Sequence, residues 1–297
     1  MTGEPIYIRY IETTGRCNLN CPVCVERYRN YDMKQEDFLE IVNRNASLFL
    51  DRCVWLDFNG EPLLDPLFFE RVKLLKQKGA IVQISTNGIL LNHDNIIKIV
   101  ESGVDYLVIS VITLDPLNYK QIRGVDMLRE IIENVKKLKL YVDKAGSSME
   151  IQAVAIDTGT EDLTSFIDYF HSIGIHAGVH QFTNRAHCSR KTYKTTHQKL
   201  EKRGACQGRK QNLVVLCNCD VVSCCCDFKG VNVLGNLRDY DYSVIDLVRK
   251  SKFDAFFLDQ ENQIFKGACA KCDDWIYYQK ESTEKYVTVY PVYGGIE

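Results

Sequence analysis

Cys17-Asn18-Leu19-Asn20-Cys21-Pro22-Val23-Cys24 puts three thiols in a C-x-x-x-C-x-x-C spacing on one short loop, directly after an alternating, β-rich run from Ile6 to Thr13. Three thiolates this close can hold three irons of one iron–sulfur cube, whereas a mononuclear zinc site or a ferredoxin cluster normally closes with a fourth cysteine. The next cysteine is Cys53, beyond a predicted helix. An iron left without a protein ligand is an open coordination site, and on a redox-active cluster such a site can hold a substrate or cosubstrate.

The run that leads into the cysteines reads as the first strand of a series. A helix is expected over Lys34 to Leu50 and a strand over Cys53 to Phe58, in which Cys53 reads as a buried core thiol. Helices near Pro66 to Lys78, Asn92 to Ser102, Met127 to Leu140 and Glu161 to Ile173 then alternate with further strands. Those strands are predicted at Ile81 to Ser85, Tyr106 to Ser110, Glu150 to Ile156 and Ala177 to Phe182. Six alternations predict an α/β fold on a parallel sheet with right-handed crossovers, either curved into a partial barrel or open and doubly wound. In both arrangements ligands gather at the C-terminal ends of the strands, which is where the cysteine loop falls.

Composition narrows the function classes. A net charge of -2, from 37 basic and 39 acidic residues, gives no long-range field for nucleic acid or an anionic membrane. The start, Met1 to Pro5, lacks a basic-then-apolar signal, and no apolar run reaches the roughly 18 residues of a membrane span, so a cytoplasmic protein is expected. Thirteen cysteines is a high, odd number for a reducing compartment, and metal or cluster ligation is the economical explanation.

Strand ends carry the remaining motifs. The second strand runs into Asn59-Gly60-Glu61-Pro62, where Gly60 permits close backbone approach and Pro62 fixes the turn. The third ends in Ser85-Thr86-Asn87-Gly88, short hydroxyl and amide side chains suited to ribose hydroxyls or to a turn, and the fourth ends at Ser110. Together with the cysteine spacing, these loops resemble the radical S-adenosylmethionine (SAM) enzymes. The resemblance implies a six-stranded partial (β/α)6 barrel in which Cys17, Cys21 and Cys24 hold a 4Fe-4S cluster. The amine and carboxylate of SAM would chelate its open iron, and one electron would cleave SAM to a 5'-deoxyadenosyl radical. It further implies that Asn59, Gly60, Glu61 and Pro62 receive the SAM amine, and that Ser85, Asn87 and Ser110 contact the ribose. Arg123, in the Tyr119 to Gly124 loop, joins them; a capping hydroxyl and a solvated charge are the plain alternatives for Ser110 and Arg123. The chain departs from the family pattern at Val23, where an aromatic residue is usual, and at Asn59, which replaces a glycine.

Gln152 on the fifth strand and Asn184-Arg185 after the sixth are expected at the barrel mouth, where Arg185 could hold a carboxylate through its planar fork. His171, His176, His180, His187 and His197 lack the spacing of a helical zinc pair and receive no role.

Beyond residue 190 the character changes. A connecting segment rich in Lys, Arg and Thr gives way to eight of the thirteen cysteines. Gln211 to Cys219 and Val221 to Cys225 read as a hairpin, and Tyr242 to Phe257 as a helix. Cys206, Cys224, Cys269 and Cys272 supply four thiolates, enough for a tetrahedral zinc site or a fully ligated cube. The layout, with Leu234-Gly235-Asn236-Leu237, resembles the SPASM/twitch extensions of radical SAM enzymes, which implies one auxiliary 4Fe-4S cluster on those four residues. The expected organisation is a core over 1–190, a linker over 191–205, the auxiliary-cluster unit over 206–280 and a tail over 281–297.

Cys224 and Cys225 are interchangeable as ligands in this reading, and Cys225 is either a hydrogen-atom donor, as in twitch-type epimerases, or a structural thiol. Cys217, Cys219 and Cys226 stay unassigned, with a second metal site as one reading of the first two. The resemblance implies a tailoring oxidoreductase like the aminocyclitol dehydrogenases, or an epimerase of a sugar or ribosomal peptide. A non-catalytic iron–sulfur or zinc module is the alternative from another class. Expected partners are a small-molecule or peptide substrate and a reductant such as flavodoxin or ferredoxin, with neither nucleic acid nor membrane. Because the first strand begins near residue 6, no N-terminal peptide-recognition domain is expected, which favours a small sugar-like substrate.

Overall fold

The computed structural model of the chain describes residues 6–25, 29–159, 162–182, 189–191, 203–206 and 212–272. Strands β1 (Tyr7–Ile11), β2 (Cys53–Trp55), β3 (Ile81–Thr86), β4 (Tyr106–Ile112), β5 (Glu150–Asp157) and β6 (His176–Gln181) are parallel, each hydrogen-bonded to the next. Helices α1 (Gln35–Arg44), α2 (Phe68–Gln77), α3 (His93–Ser102), α4 (Pro116–Arg123), α5 (Leu128–Ala145) and α6 (Leu163–Ser172) lie in the crossovers. This is the expected α/β architecture of a six-stranded partial barrel.

Alternation along the strands separates two faces. In β3, Val82 and Ile84 are fully buried against the helices, while Gln83 and Ser85 point the other way. The helix side is one continuous apolar core that includes Phe38, Phe68, Ile96, Ile131, Leu138 and Phe166.

On the far side of β1 the sheet continues. Strand β7 (Asn212–Val215) pairs with β1 in parallel, and β8 (Asp220–Val222) and β9 (Val233–Asn236) follow antiparallel. One nine-stranded sheet in the order β6-β5-β4-β3-β2-β1-β7-β8-β9 therefore carries both cysteine-rich regions. The predicted hairpin is β7–β8, but Leu234 to Asn236 belongs to a strand, followed by a 3-10 turn over Leu237–Tyr240. The single helix expected over Tyr242 to Phe257 is two, α7 (Val244–Lys250) and α8 (Phe253–Glu261). Ser251 breaks it: the residue is extended and its hydroxyl accepts the Phe253 amide at 3.2 Å, an alternative to the helical ladder.

The extension is seated on α1 by a polar cluster. Arg238 makes two bonds to the Asp37 carboxylate at 2.9 and 2.6 Å, and the Tyr242 hydroxyl donates to the same group at 2.7 Å. Asn45 accepts the Val244 amide at 2.9 Å and donates to the Tyr242 carbonyl at 2.8 Å. Cys217 and Cys219 are buried in the apolar core, and burial raises both thiols far above their ordinary range. They pack as core thiols with different neighbours, Glu12 for Cys217 and Asp37 for Cys219, and among the described residues neither falls in a group of three close metal-ligating side chains. Cys53 is likewise a core thiol, with Sγ 3.3 Å from Gln83 Oε1.

Candidate functional site

A cavity of about 310 Å³ opens at the C-terminal ends of the parallel strands. Its wall takes a side chain from every one of them: Tyr10, Trp55, Ser85, Val108, Val154 and His180. Side chains from six successive strands meet around one space only if the sheet curls, so the concave face is the inside of the partial barrel. Cys17, Cys21 and Cys24 all line this cavity, and so do Asn59, Gly60, Glu61, Asn87, Ser110 and Arg123. Pro62 is buried at the start of the turn behind them. Gln152 sits at the opposite end of β5 and is not in the lining, and Asn184 and Arg185 lie outside the described residues.

The loops are locked together through backbone atoms. The Glu61 amide donates to the Arg16 carbonyl at 2.7 Å. A Cβ on Gly60 would stand 2.2 Å from the Thr14 carbonyl oxygen and 2.7 Å from that of Arg16, so only glycine allows this approach. Arg16 makes a two-bond pair with Asp32 and donates to the Leu64 carbonyl at 2.6 Å. Behind them the fully buried Arg71 bonds Asp65 at 2.9 Å and the Thr13 and Met33 carbonyls at 3.2 and 2.6 Å. The start of the cysteine loop and the Asn59–Pro62 loop are therefore tied to each other through Arg16 and Gly60.

Glu61 is buried and fully engaged. Its Oε1 accepts the Thr86 hydroxyl at 2.8 Å and the Leu63 amide at 3.3 Å, while Oε2 accepts the Asn87 amide at 2.8 Å. Burial pushes this carboxyl up, against those hydrogen bonds. The side chain thus brackets the second strand's loop to the end of β3.

The sulfurs meet donors. Asn87 Nδ2 lies 3.8 Å from Cys17 Sγ and 2.7 Å from Asn18 Oδ1, and Arg123 Nη1 lies 3.7 Å from Cys21 Sγ while Nη2 donates to the Ser110 carbonyl. An amide and a guanidinium are thus aimed at two of the three sulfurs, donors of the kind that a ligated sulfur accepts. Asn59 Oδ1 and Arg123 Nε are buried with no hydrogen-bond partner among the described residues, two polar atoms left over beside the cysteines. The donor set suits three thiolates on a cationic cluster with a polar, charged co-ligand. Ile112, at the end of β4 in the same wall, has φ of 80°, a strained conformation for a β-branched residue that re-aims the chain after Ser110.

A second cysteine group lies in the extension. The Sγ atoms of Cys224, Cys225 and Cys226 are within 4.8 Å of one another. The Cys226 amide donates to Cys224 Sγ at 3.3 Å. Asp227, buried, organises this turn by accepting the Val231 and Asn232 amides at 2.9 and 2.7 Å. Asn232 Nδ2 in turn lies 3.3 Å from Cys269 Sγ. Gln260 touches both Cys206, whose amide it accepts at 3.4 Å, and Cys269, whose Sγ is 3.8 Å from its Nε2. Burial and then the neighbouring Cys206 raise the Cys269 thiol to about 11. Cys272 closes the last turn by donating its backbone N–H to the Cys269 carbonyl at 3.3 Å. Donors converge on Cys224 and Cys269, as they would on cluster or zinc thiolates. Cys225 instead packs with Tyr10 and Phe58 against Val214, Leu216 and Val222, one layer from the cavity that both aromatics line.

Several site residues escape sequence reasoning. His180 lines the cavity from β6, and the in-out alternation of that strand is the signal that could have found it. Tyr10, Trp55 and Asp57 belong to the same inward-facing set. The Arg190 guanidinium and amide hold the Cys21 and Cys24 carbonyls, a contact with no sequence signal. The loop expected over Tyr119 to Gly124 is instead the end of α4, with Arg123 its last residue; the Asp115 cap, Pro116 in the first turn and Gly124 after the end are the helix punctuation that loop reading passed over.

Residues 11–151 match the Radical SAM superfamily. The chain is 29% identical over 175 residues to the tungsten-containing aldehyde ferredoxin oxidoreductase cofactor-modifying protein of Pyrococcus furiosus, covering 57% of this chain and 49% of that one. It spans about half the length of the curated relatives it matches. Among solved structures it is similar to BtrN in complex with AdoMet and 2-DOIA, with a TM-score of 0.62 at 17% identity over 91% of this chain and 94% of that one. It is similar also to Streptococcus suis SuiB bound to precursor peptide SuiA, with a TM-score of 0.63 at 14% identity over 90% and 70%. Among the described residues no helix is long and apolar enough to cross a membrane.

Proposed function

We propose that this chain, whose residues 11–151 are a radical SAM domain, is a tailoring oxidoreductase that dehydrogenates a sugar or aminocyclitol-like metabolite. In this reading Cys17, Cys21 and Cys24 hold the SAM-binding 4Fe-4S cluster, and Cys206, Cys224, Cys269 and Cys272 hold an auxiliary one in a unit spanning about residues 206–280. When bound, the first cluster with SAM would supply a 5'-deoxyadenosyl radical that abstracts a hydrogen atom, a base would take the proton, and the auxiliary cluster would accept the electron that remains. The residues of the chain do the rest. Gly60 and Glu61 shape the loop whose carbonyls would receive the SAM amine, Ser85, Asn87 and Ser110 would offer hydroxyls and an amide to a ribose, and Arg123 steadies Cys21. Arg185 is retained only as a candidate for the SAM carboxylate, and a flavodoxin or ferredoxin is the proposed reductant.

The observation that carries the auxiliary site is the convergence of Asn232 and Gln260 on Cys269, with Gln260 also on Cys206. Two amides aimed at one sulfur, beside a second cysteine, suit a ligated thiolate better than a packing thiol. Choice of Cys224 over Cys225 rests on the amide donated to Cys224 Sγ.

Epimerisation is the second reading, and it is favoured by Cys225 packing against the same Val214, Leu216 and Val222 cluster as Tyr10 and Phe58, which line the cavity. A thiol one layer from the cavity could return a hydrogen atom to a substrate radical. The test is product mass in heavy water, with anaerobically reconstituted enzyme and a substrate drawn from its genomic neighbourhood. Dehydrogenation removes two hydrogens and gives a product two mass units lighter, with turnover retained in Cys225→Ala. A product of unchanged mass in ordinary water that gains one deuterium in heavy water, its formation abolished in Cys225→Ala while 5'-deoxyadenosine still forms, would instead identify an epimerase.

A further inference from the structure

Glu61 and Asp57 both line the cavity, yet they differ in what holds them. Glu61 has both oxygens engaged by Thr86, Leu63 and Asn87. Asp57, just past the end of β2, accepts only the Ser85 amide, at 3.1 Å on Oδ1. Its second oxygen makes no hydrogen bond among the described residues. Of the charged groups described, the one that acts on it is Glu61, of the same sign. Arg123, the cavity's guanidinium, is turned to Cys21 and the Ser110 carbonyl. Burial accordingly raises the Asp57 carboxyl to about 8, against the pull of the Ser85 amide.

Aromatic rings border this acid. Trp55 precedes it by two residues on the same inward face, stacked on Tyr10 with centroids 5.7 Å apart. Phe58 follows it and meets Tyr10 edge-on at 6.1 Å. A half-satisfied carboxylate in a small cavity with aromatic walls is the complement of an organic ammonium, which supplies the missing counter-charge and presents its C–H surface to the rings.

We propose that Asp57 is the counter-charge for a positively charged nitrogen on the substrate, so that the cavity selects amine-bearing substrates over their neutral analogues. The inference deepens the radical SAM reading by naming a substrate class, and it rests on that reading for the cavity being a substrate site. It also separates Asp57 from Glu61, whose filled hydrogen bonds leave it a bracket between loops.

The test uses calorimetric titration of the reconstituted full-length holoprotein with its cluster oxidised. The probes are cyclohexylammonium chloride and cyclohexanol, equal in shape and different in charge. Cyclohexylammonium is expected to bind saturably and more tightly than cyclohexanol. Asp57→Asn should weaken the ammonium by at least about tenfold, the scale of one charged hydrogen bond, and leave cyclohexanol unchanged. Asparagine keeps an acceptor for the Ser85 amide, so the variant's melting temperature should match the parent's. No binding of cyclohexylammonium, equal binding of the two probes, or unchanged ammonium affinity in Asp57→Asn overturns the proposal. SAM is titrated alongside. Loss of SAM affinity in Asp57→Asn would give the carboxylate to the SAM amine and also overturn it, whereas failure of the parent to bind SAM would overturn the radical SAM reading by itself.

Discussion

Arg29 Nε donates to Glu12 Oε2 at 2.7 Å, with both side chains almost wholly buried. The same guanidinium donates to the carbonyls of Phe228 at 2.6 Å and Lys229 at 3.4 Å, and Glu12 Oε2 accepts the Cys217 amide at 3.2 Å. One ion pair thus ties the strand that leads into Cys17 to the turn that carries Cys224, Cys225 and Cys226. Arg29→Met leaves Glu12 as an uncompensated buried charge and should cost about 3–5 kcal/mol in urea unfolding, with part recovered by adding Glu12→Gln. A loss under about 1 kcal/mol would mean the pair does not hold the two regions together.

The bond of Arg238 to Asp37 governs a pH dependence. That bond, followed by the Tyr242 hydroxyl and opposed by burial, lowers the Asp37 carboxyl below 3.8. A lowered acid stabilises the fold above its unfolded pKa and ceases to do so as pH falls through the folded value. Asp37→Asn should therefore cost about 1 kcal/mol at neutral pH, a modest figure because Arg238 is partly exposed, and the gap from the parent should close below about pH 4 in denaturant titrations.

Gly60→Ala tests the interlock of the two loops. The added Cβ would press on two backbone carbonyls, which cannot rotate away as a side chain tip can. The expected cost is about 1–3 kcal/mol in stability, with SAM affinity reduced more than iron content, read by calorimetry beside iron analysis. Glu61→Gln should also weaken SAM binding at full iron occupancy, since it loosens the bracket to Asn87.

Metal content separates the two cysteine sites. Reconstituted protein should hold about eight irons per chain, and Cys17, Cys21 and Cys24 changed together to Ala should leave about four. Cys269→Ala should leave the complementary four and Cys225→Ala all eight. Four irons with one zinc in the parent would replace the auxiliary cluster by a zinc site.

The order of strands and helices was legible because each strand is an apolar run bounded by a helix with ordinary caps. Asn92 at the start of α3 and Gly103 at its end are an example. The triad Cys17, Cys21, Cys24 and the Asn59–Pro62 loop stood out in the sequence as short motifs at successive strand ends, and the structure brings the three cysteines together with Asn59, Gly60 and Glu61 around one cavity. What could not be read was which residues of a strand face the cavity together. Tyr10, Asp57 and His180 are far apart in sequence and meet only because the sheet curls. The junction of β7 with β1 was equally hidden, since nothing local in Asn212–Val215 names its partner. The one helix drawn over Tyr242 to Phe257 failed at Ser251, where a hydroxyl bond outcompetes propensity.

The pairing of β7 with β1 sets an order of events in time. Strand β1 has β2 available on one edge soon after synthesis, but the other edge waits for a partner made roughly 200 residues later, about 10–40 seconds at ordinary translation rates. Through that interval the strand leading to the three cysteines keeps an open hydrogen-bonding edge, the kind that invites pairing with a stranger. The contact that closes it is among the most non-local in the fold, and non-local pairings form slowly. Closure of the sheet beside β1 therefore waits on one late step, and refolding from denaturant should regain native β1 protection in hydrogen exchange only as β7 docks.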